Sequence, residues 1–289
     1  MTYFLDSELI INPDGTIYHL HLRPDQIADD IIFVGDPNRV SEVSQHFSSI
    51  QHKAAHREFV THTGFYNGKR LTVISTGIGT DNIDIVMNEL DALANIDFET
   101  RELKDTHKSL NIIRIGTSGA IQADIPLDSF LLNTYALGLD GLLHFYDYYP
   151  TERERELLYQ MQLQVRSFPI PPYLATASKI LYQRLNLPEY KKGITTTCTG
   201  FYAPQGRELR GRLAAPDLLH QLSYFEYEKF RITNFEMETA GIYGLAKILG
   251  HEAISISAIL ANRMTNEFSE KPQDTVNELI VKVLEKLTQ

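Results

Sequence analysis

Tryptophan is absent from the 289 residues, and cysteine occurs once, at Cys198. A lone thiol can close no intrachain disulfide and cannot assemble a thiolate zinc site, so a reducing, cytoplasmic setting is expected. Positive charge is also scarce: 27 Lys and Arg against 37 Asp and Glu leave a formal net charge of -10. A surface of that sign repels polyanions, which argues against nucleic acid or an anionic membrane as the main partner. No apolar run approaches a bilayer span, and the opening MTYFLDSELIINPDG has no basic start followed by an apolar stretch. Repeats and Gly/Pro-rich linkers are missing as well. One domain over residues 1–289 is therefore expected, with a 43% hydrophobic content sufficient for a substantial core.

What is present alternates between short apolar runs and amphipathic stretches. Ile31 to Val34 reads as a buried strand that stops at the turn signal Gly35-Asp36-Pro37 and passes into a helix. Glu58 to Tyr66 and Arg70 to Ser75 read as strands joined by Asn67-Gly68, a dipeptide suited to a two-residue hairpin turn. Asp81 is expected to cap the next helix, which aligns Ile83, Val86, Met87, Leu90, Leu93 and Ala94 on one face. Further strands are expected at Asn111 to Ile115, Ser129 to Asn133, Gly193 to Thr199, Arg231 to Asn234 and Ala253 to Ala261. Helices are expected near Leu174 to Leu185, Met237 to Leu249 and Asp274 to Leu287. The polar stretch 96–110 reads as a helix extension or surface insertion, and 149–173 as a second peripheral segment. Strands mixed with crossover helices argue an α/β sandwich.

Three segments carry arginine where an anion could sit. In Gly35-Asp36-Pro37-Asn38-Arg39-Val40, Asp36 suits the N-cap and Pro37 the first helical position, so free amides and the Arg39 guanidinium converge. The competing reading is a capped helix with a solvated arginine. The second segment is His56-Arg57-Glu58-Phe59, whose arginine alone says little. In Ile113-Arg114-Ile115-Gly116-Thr117-Ser118-Gly119-Ala120, an arginine interrupts a buried strand that runs into a small, hydroxyl-rich turn. A buried arginine must hold an anionic ligand or an ion-pair partner, for which Glu58 and Glu236 are candidates. Gly77-Ile78-Gly79-Thr80-Asp81-Asn82 resembles a dinucleotide fingerprint but lacks the third glycine, and it follows a hairpin strand; it reads as a tight turn.

Eight ordered segments, YHLHL (18–22), GDPNRV (35–40), HREF (56–59), STGIGTDN (75–82), IRIGTSGAI (113–121), FYAPQGR (201–207), NFEMET (234–239) and LANR (260–263), resemble the nucleoside phosphorylase superfamily, most closely its uridine phosphorylase branch. The resemblance spans nearly the whole chain. It implies a single-domain three-layer α/β/α sandwich with a central mixed, partly barrel-like sheet. It also implies a pentosyltransferase that uses inorganic phosphate as co-substrate, with no organic cofactor. Gly35, Arg39, Arg114 and Thr117 would hold phosphate, joined by Arg57 from a neighbouring subunit. Glu238 would accept the ribose hydroxyls, with Met237 packing on the sugar and His19 reaching across the dimer. Phe201, Gln205, Arg207, Gly119, Leu260 and Ala261 would surround the base. Arg114, Glu238, Gln205 and Arg207 carry the catalytic roles. A homodimer with shared active sites is implied, assembled further into a hexamer as a trimer of dimers.

A glutamine amide and an arginine suit the edge of a uracil, and purine-cleaving relatives typically place an aspartate where this chain reads Leu260-Ala261-Asn262. Both features favour a pyrimidine nucleoside. A purine nucleoside phosphorylase, a nucleosidase using water, and a non-catalytic nucleoside-binding protein are the alternatives. Alanine and proline in FYAPQGR, and the Leu260-Ala261 wall, depart from the family pattern at the base. Some bacterial relatives hold a potassium ion at the dimer interface; Glu58 and Ile78 match that set, while Asn82 stands at its serine position. The polar stretch 262–272 reads as a lid.

Overall fold

The computed structural model describes residues 3–289. β1 (Asp30–Val34) is buried throughout and stops at Gly35. Asp36 then accepts the amide of Asn38 (2.9 Å), so α1 (Pro37–Ser44) begins on its proline. β2 (Ser49–His56), β3 (Phe59–Tyr66) and β4 (Lys69–Ser75) form an antiparallel meander. Asn67 and Gly68 take φ of 48° and 77°, as the expected hairpin turn requires. The pattern did not announce β2, because SIQHKAAH lies at the sheet edge with no buried residue. α2 (Thr80–Asn95) buries the expected face, but its N-cap is Gly79 and Asp81 lies in the first turn.

The stretch after α2 makes a small ladder, β5 (Ile96–Asp97) with β6 (Glu102–Leu103), in place of a helix extension. β7 (Asn111–Ala120) and β8 (Phe130–Leu139) run well past the stretches expected for them. α3 (Glu152–Gln164) follows, opened by a capping box of Thr151 and Glu154. The segment expected as one helix from Leu174 divides into β9 (Tyr173–Thr176), paired to β8, and α4 (Lys179–Leu185), capped by Ser178. A free edge of β8 overrides the helical spacing there. The remainder is β10 (Lys191–Cys198), α5 (Leu218–Tyr224), β11 (Glu226–Tyr227), β12 (Phe230–Glu236), α6 (Thr239–Leu249), β13 (Glu252–Asn262), β14 (Glu267–Phe268) and α7 (Pro272–Leu287).

Twelve strands join in one sheet, ordered β11-β12-β10-β8-β13-β7-β1-β4-β3-β2, with β14 on β13 and β9 on β8. An antiparallel contact between β12 and β7 sets Asn234 against Ala120 and Phe235 against Gly119. It closes β7, β13, β8, β10 and β12 into a ring, while β1, β4, β3 and β2 continue as an open wing. The Gly116 to Ala120 stretch, expected as a turn, is strand because β13 pairs it along its length and β12 takes its end. Alternation along β1 sends Ile31 and Phe33 into a core with α2 and α6, and Ile32 and Val34 into another with α1, α4 and α7. Helices thus cover both faces, which is the three-layer α/β/α arrangement. A third cluster packs Leu157, Met161, Leu218 and Leu222 of α3 and α5 against β8, β10 and β12. No helix among the described residues is long and apolar enough to cross a membrane.

Candidate active site

The ends of β1 and β4, the second half of β7, and the ends of β12 and β13 line a single cleft of about 1080 Å3. β1, β4, β7 and β13 run parallel where they pair, so their carboxyl ends open to one side, where α/β sheets commonly bind ligands.

Gly35 and Arg39 at the start of α1 share the lining with Arg114 and Thr117 of β7. Burial lowers the pKa of Arg39, and the charge of Arg114 adds to that while Glu42 and Asp36 oppose it. Two guanidiniums close enough to repel, beside a helix N-terminus, make a place for an anion. Arg114 is itself buried and donates through Nη2 to Glu238, with Glu236 Oε2 3.7 Å away. Arg114 is therefore ion-paired, but mainly to Glu238 rather than to either expected carboxylate: Glu236 lies behind, and Glu58 forms no salt bridge with it. Burial opposes the Arg114 charge, but the two carboxylates outweigh it and hold the guanidinium protonated. Burial likewise pushes the Glu238 carboxyl above the usual glutamate range, against the pull of Arg114 and with the help of Glu236. Two carboxylates sharing one cation leave one of them easier to protonate.

The start of α6 shows how Glu238 is aimed. Glu236 Oε2 accepts the amides of Glu238 (3.0 Å) and Thr239 (2.8 Å) and the Thr239 hydroxyl (2.6 Å), while Thr197 donates to its other oxygen. Glu236 thus satisfies the helix terminus, and Met237 and Glu238 are left in the cleft lining. The Gly79 amide donates to Glu238 Oε1 (2.8 Å). Gly77 and Gly79 have φ of 70° and 97°, so the fingerprint-like turn serves to bring a backbone N–H onto the carboxylate.

The opposite end is built from the loop after β10. Gln205, almost fully buried, ends a 3-10 turn (Ala203–Gln205). Arg207 Nη1 donates to Gln205 Oε1 (2.6 Å) and to the Phe201 carbonyl (2.7 Å), and its guanidinium lies 3.8 Å from the centre of the Phe201 ring. With the amide oxygen occupied by Arg207, Gln205 Nε2 remains to donate. Burial and the charge of Arg263 push Arg207 down to about 10. Gly119, Leu260 and Ala261 complete this wall. The stretch expected as a lid is a hairpin, with Ala261 and Asn262 paired to Phe268 and Glu267, and it edges the same cleft.

Two expected residues stay outside their own chain's cleft. His19 Nδ1 lies 2.6 Å from Glu89 Oε1, and Arg57, in the β2–β3 turn with φ 55°, stands 6.0 Å from the Tyr18 ring. The family resemblance assigns both to the neighbouring subunit's site. Glu58, Ile78 and Asn82 do line the cleft, near Gly77. Sequence reasoning missed Arg263 and Glu236 as site residues. Arg263 Nη1 donates to the Gln205 carbonyl (2.8 Å) and Nη2 to that of Gly206 (3.3 Å), holding the loop around the Gln205 amide. Its signal was an arginine directly following a buried apolar run, whereas Arg114 interrupts one.

Matched over residues 29–289 by the family model described as the phosphorylase superfamily, the chain belongs to that superfamily. Uridine phosphorylase of Thermococcus kodakarensis is 33% identical, over 97% of this chain and 91% of that protein. Uridine phosphorylase of Escherichia coli is 28% identical, over 87% and 88% of the two chains. The crystal structure of Trypanosoma brucei nucleoside phosphorylase, which shows uridine phosphorylase activity, superposes with a TM-score of 0.88 at 30% identity, covering 96% of this chain and 99% of that one.

Proposed function

We propose that this chain cleaves uridine with inorganic phosphate, giving uracil and ribose 1-phosphate. The observation that carries the reading is one cleft with paired arginines at both ends, Arg39 with Arg114 and Arg207 with Arg263, and the Glu238 carboxylate between them. Phosphate held by Gly35, Arg39, Arg114 and Thr117 attacks the anomeric carbon as the bond to the base breaks. Glu238 accepts hydrogen bonds from the ribose hydroxyls, and Met237 packs on the sugar. Negative charge then collects on the departing uracil, where the Gln205 amide and the Arg207 guanidinium donate to it before it takes up a proton. No protein nucleophile is needed; positioning and fixed charges lower the barrier.

Arg57 and His19 complete the neighbouring site in a homodimer, which accounts for their place outside their own cleft; a trimer of such dimers is the assembly the family resemblance implies. The lid hairpin keeps water from competing with phosphate. Beside Gly77, a potassium ion would have a carboxylate, an amide oxygen and a backbone carbonyl to draw on, from Glu58, Asn82 and Ile78, three residues that line the cleft. Glu58, Asn82 and the Ile78 carbonyl would hold it, and it would supply positive charge at the dimer interface.

Ultraviolet monitoring of base release from uridine, thymidine and inosine, with and without phosphate, tests the reading. Uridine should be cleaved only when phosphate is present, and inosine poorly. Arg114→Ala should lose about 100-fold or more of the phosphate-dependent rate. Retention of most of that rate, or release in phosphate-free buffer, refutes the assignment.

A further inference from the structure

β13 places two serines, Ser255 and Ser257, on one face of a strand whose other face is the apolar row Ile254, Ile256 and Ala258. Both serines are fully buried. Ser255 has a reason to be there, since its Oγ meets the Thr239 hydroxyl at 3.1 Å, beneath the Glu236 cap. Ser257 Oγ has no hydrogen-bond partner among the described residues. A buried hydroxyl left unpaired carries a desolvation cost that nothing offsets, so an unpaired serine in a strand core calls for a partner.

The neighbourhood supplies one. Ser257 lies opposite Gly116 in the parallel β13–β7 register, and Arg114 precedes Gly116 by two residues on the same face of β7. An ideal Cβ on Gly116 would fall on Arg114 Nη1 and lie 3.2 Å from Ser257 Oγ. The missing side chain at 116 therefore makes the space in which both groups sit. Arg114 Nη1 is also buried and also without a partner among the described residues, while Nη2 is taken by Glu238. An unpaired donor and an unpaired hydroxyl thus flank one point above Gly116.

We infer that Ser257 is a positioning residue for Arg114: its hydroxyl, directly or through one bridging water, takes the Nη1 N–H and fixes the plane of the guanidinium toward the phosphate end of the cleft. This rests on the proposed role of Arg114 in holding phosphate. A guanidinium anchored only through Glu238 would pivot when that carboxylate turns to the ribose hydroxyls; a second anchor on the sheet side keeps the fork aimed as the ion pair loosens.

The test measures kcat and both KM values for Ser257→Ala and Ser257→Thr beside the parent. Ser257→Ala should raise the KM for phosphate by about threefold to tenfold, as loss of one hydrogen bond to a charged group does, with kcat and the KM for uridine within about twofold. Ser257→Thr keeps the hydroxyl and should restore the phosphate KM. An unchanged phosphate KM in Ser257→Ala, an equal rise in both KM values, or no recovery in Ser257→Thr overturns the inference. Calorimetric titration of inorganic phosphate into each protein gives the same comparison without turnover. A parent that releases uracil without phosphate would instead sink the proposed function, so the two failures read differently.

Discussion

Glu238 joins the β7 arginine to the turn before α2. It takes the Arg114 guanidinium and the Gly79 amide, and burial raises its pKa above that of a solvated glutamate. A carboxyl raised in the folded protein is ionised only above that raised value, so acid removes the acceptor proposed for the ribose hydroxyls earlier than an exposed glutamate would lose it. The pH profile of kcat/KM for uridine should therefore fall on its acid side at a pH above about 4.3, the ordinary glutamate value. Glu238→Gln should lower kcat/KM about 100-fold and flatten that limb. A limb that persists unchanged in the glutamine variant would assign it to another group. At this scale the sequence named most of the lining: Arg39, Arg114, Met237, Glu238, Gln205 and Arg207 all reach the cleft. It could not show that Arg114 and Glu238, 124 positions apart, are each other's counter-ion.

Among the elements, the turn between β4 and α2 couples backbone shape to the site. Gly79 combines φ 97° with an amide that donates to Glu238 (2.8 Å), and an added Cβ would come 2.7 Å from Asp81 Oδ1. Gly79→Ala must distort the turn and withdraw that N–H. We expect kcat/KM to fall about tenfold and stability to drop by about 1 kcal/mol in urea unfolding. Loss of stability with full activity would show that the amide contributes nothing to the carboxylate. Helices such as α2 and α7 were legible because their apolar faces repeat at helical spacing and stay buried. β2 and β9 were not: one lies at the sheet edge, and the other is strand only because β8 has a free edge beside it. Pairing partners, not local pattern, decide such segments.

At the scale of the whole molecule, Asp30 ties separate parts of the fold together. It pairs with Lys69 of β4, accepts from Asn111 of β7 (2.5 Å) and lies 3.3 Å from Arg184 of α4. Burial works against its charge, yet Lys69, Asn111 and Arg184 hold its pKa below the ordinary aspartate value. A depressed carboxyl stabilises the fold fully above the unfolded value, near pH 4, and that contribution is lost as the pH falls through the depressed one. Asp30→Asn should lower the thermal midpoint at pH 7 and shrink the difference between midpoints at pH 7 and pH 3. An unaltered difference would refute the assignment. The proposed dimer is tested by subunit mixing. If His19 and Arg114 serve one site from two chains, inactive His19→Ala and Arg114→Ala proteins should regain uridine phosphorolysis on co-refolding, through hybrids carrying one intact site. No recovery in hybrids confirmed by mass would place both residues in the same chain's site.

By itself the sequence determined most of the strands and the long helices, the lack of a second cysteine and of any bilayer-length apolar run, and the motifs whose residues line the cleft. Those properties are local, written in periodicity, turn residues and short motifs. Only the tertiary structure decided that β12 closes on β7, that the Gly116 to Ala120 stretch is strand, and that Arg114 spends its charge on Glu238 with Ser257 at its back. Each of those depends on chain segments far apart being brought within hydrogen-bond reach. Burial then sets what each pairing is worth, because a charge or hydroxyl inside the sheet has no water to turn to when its partner is lost.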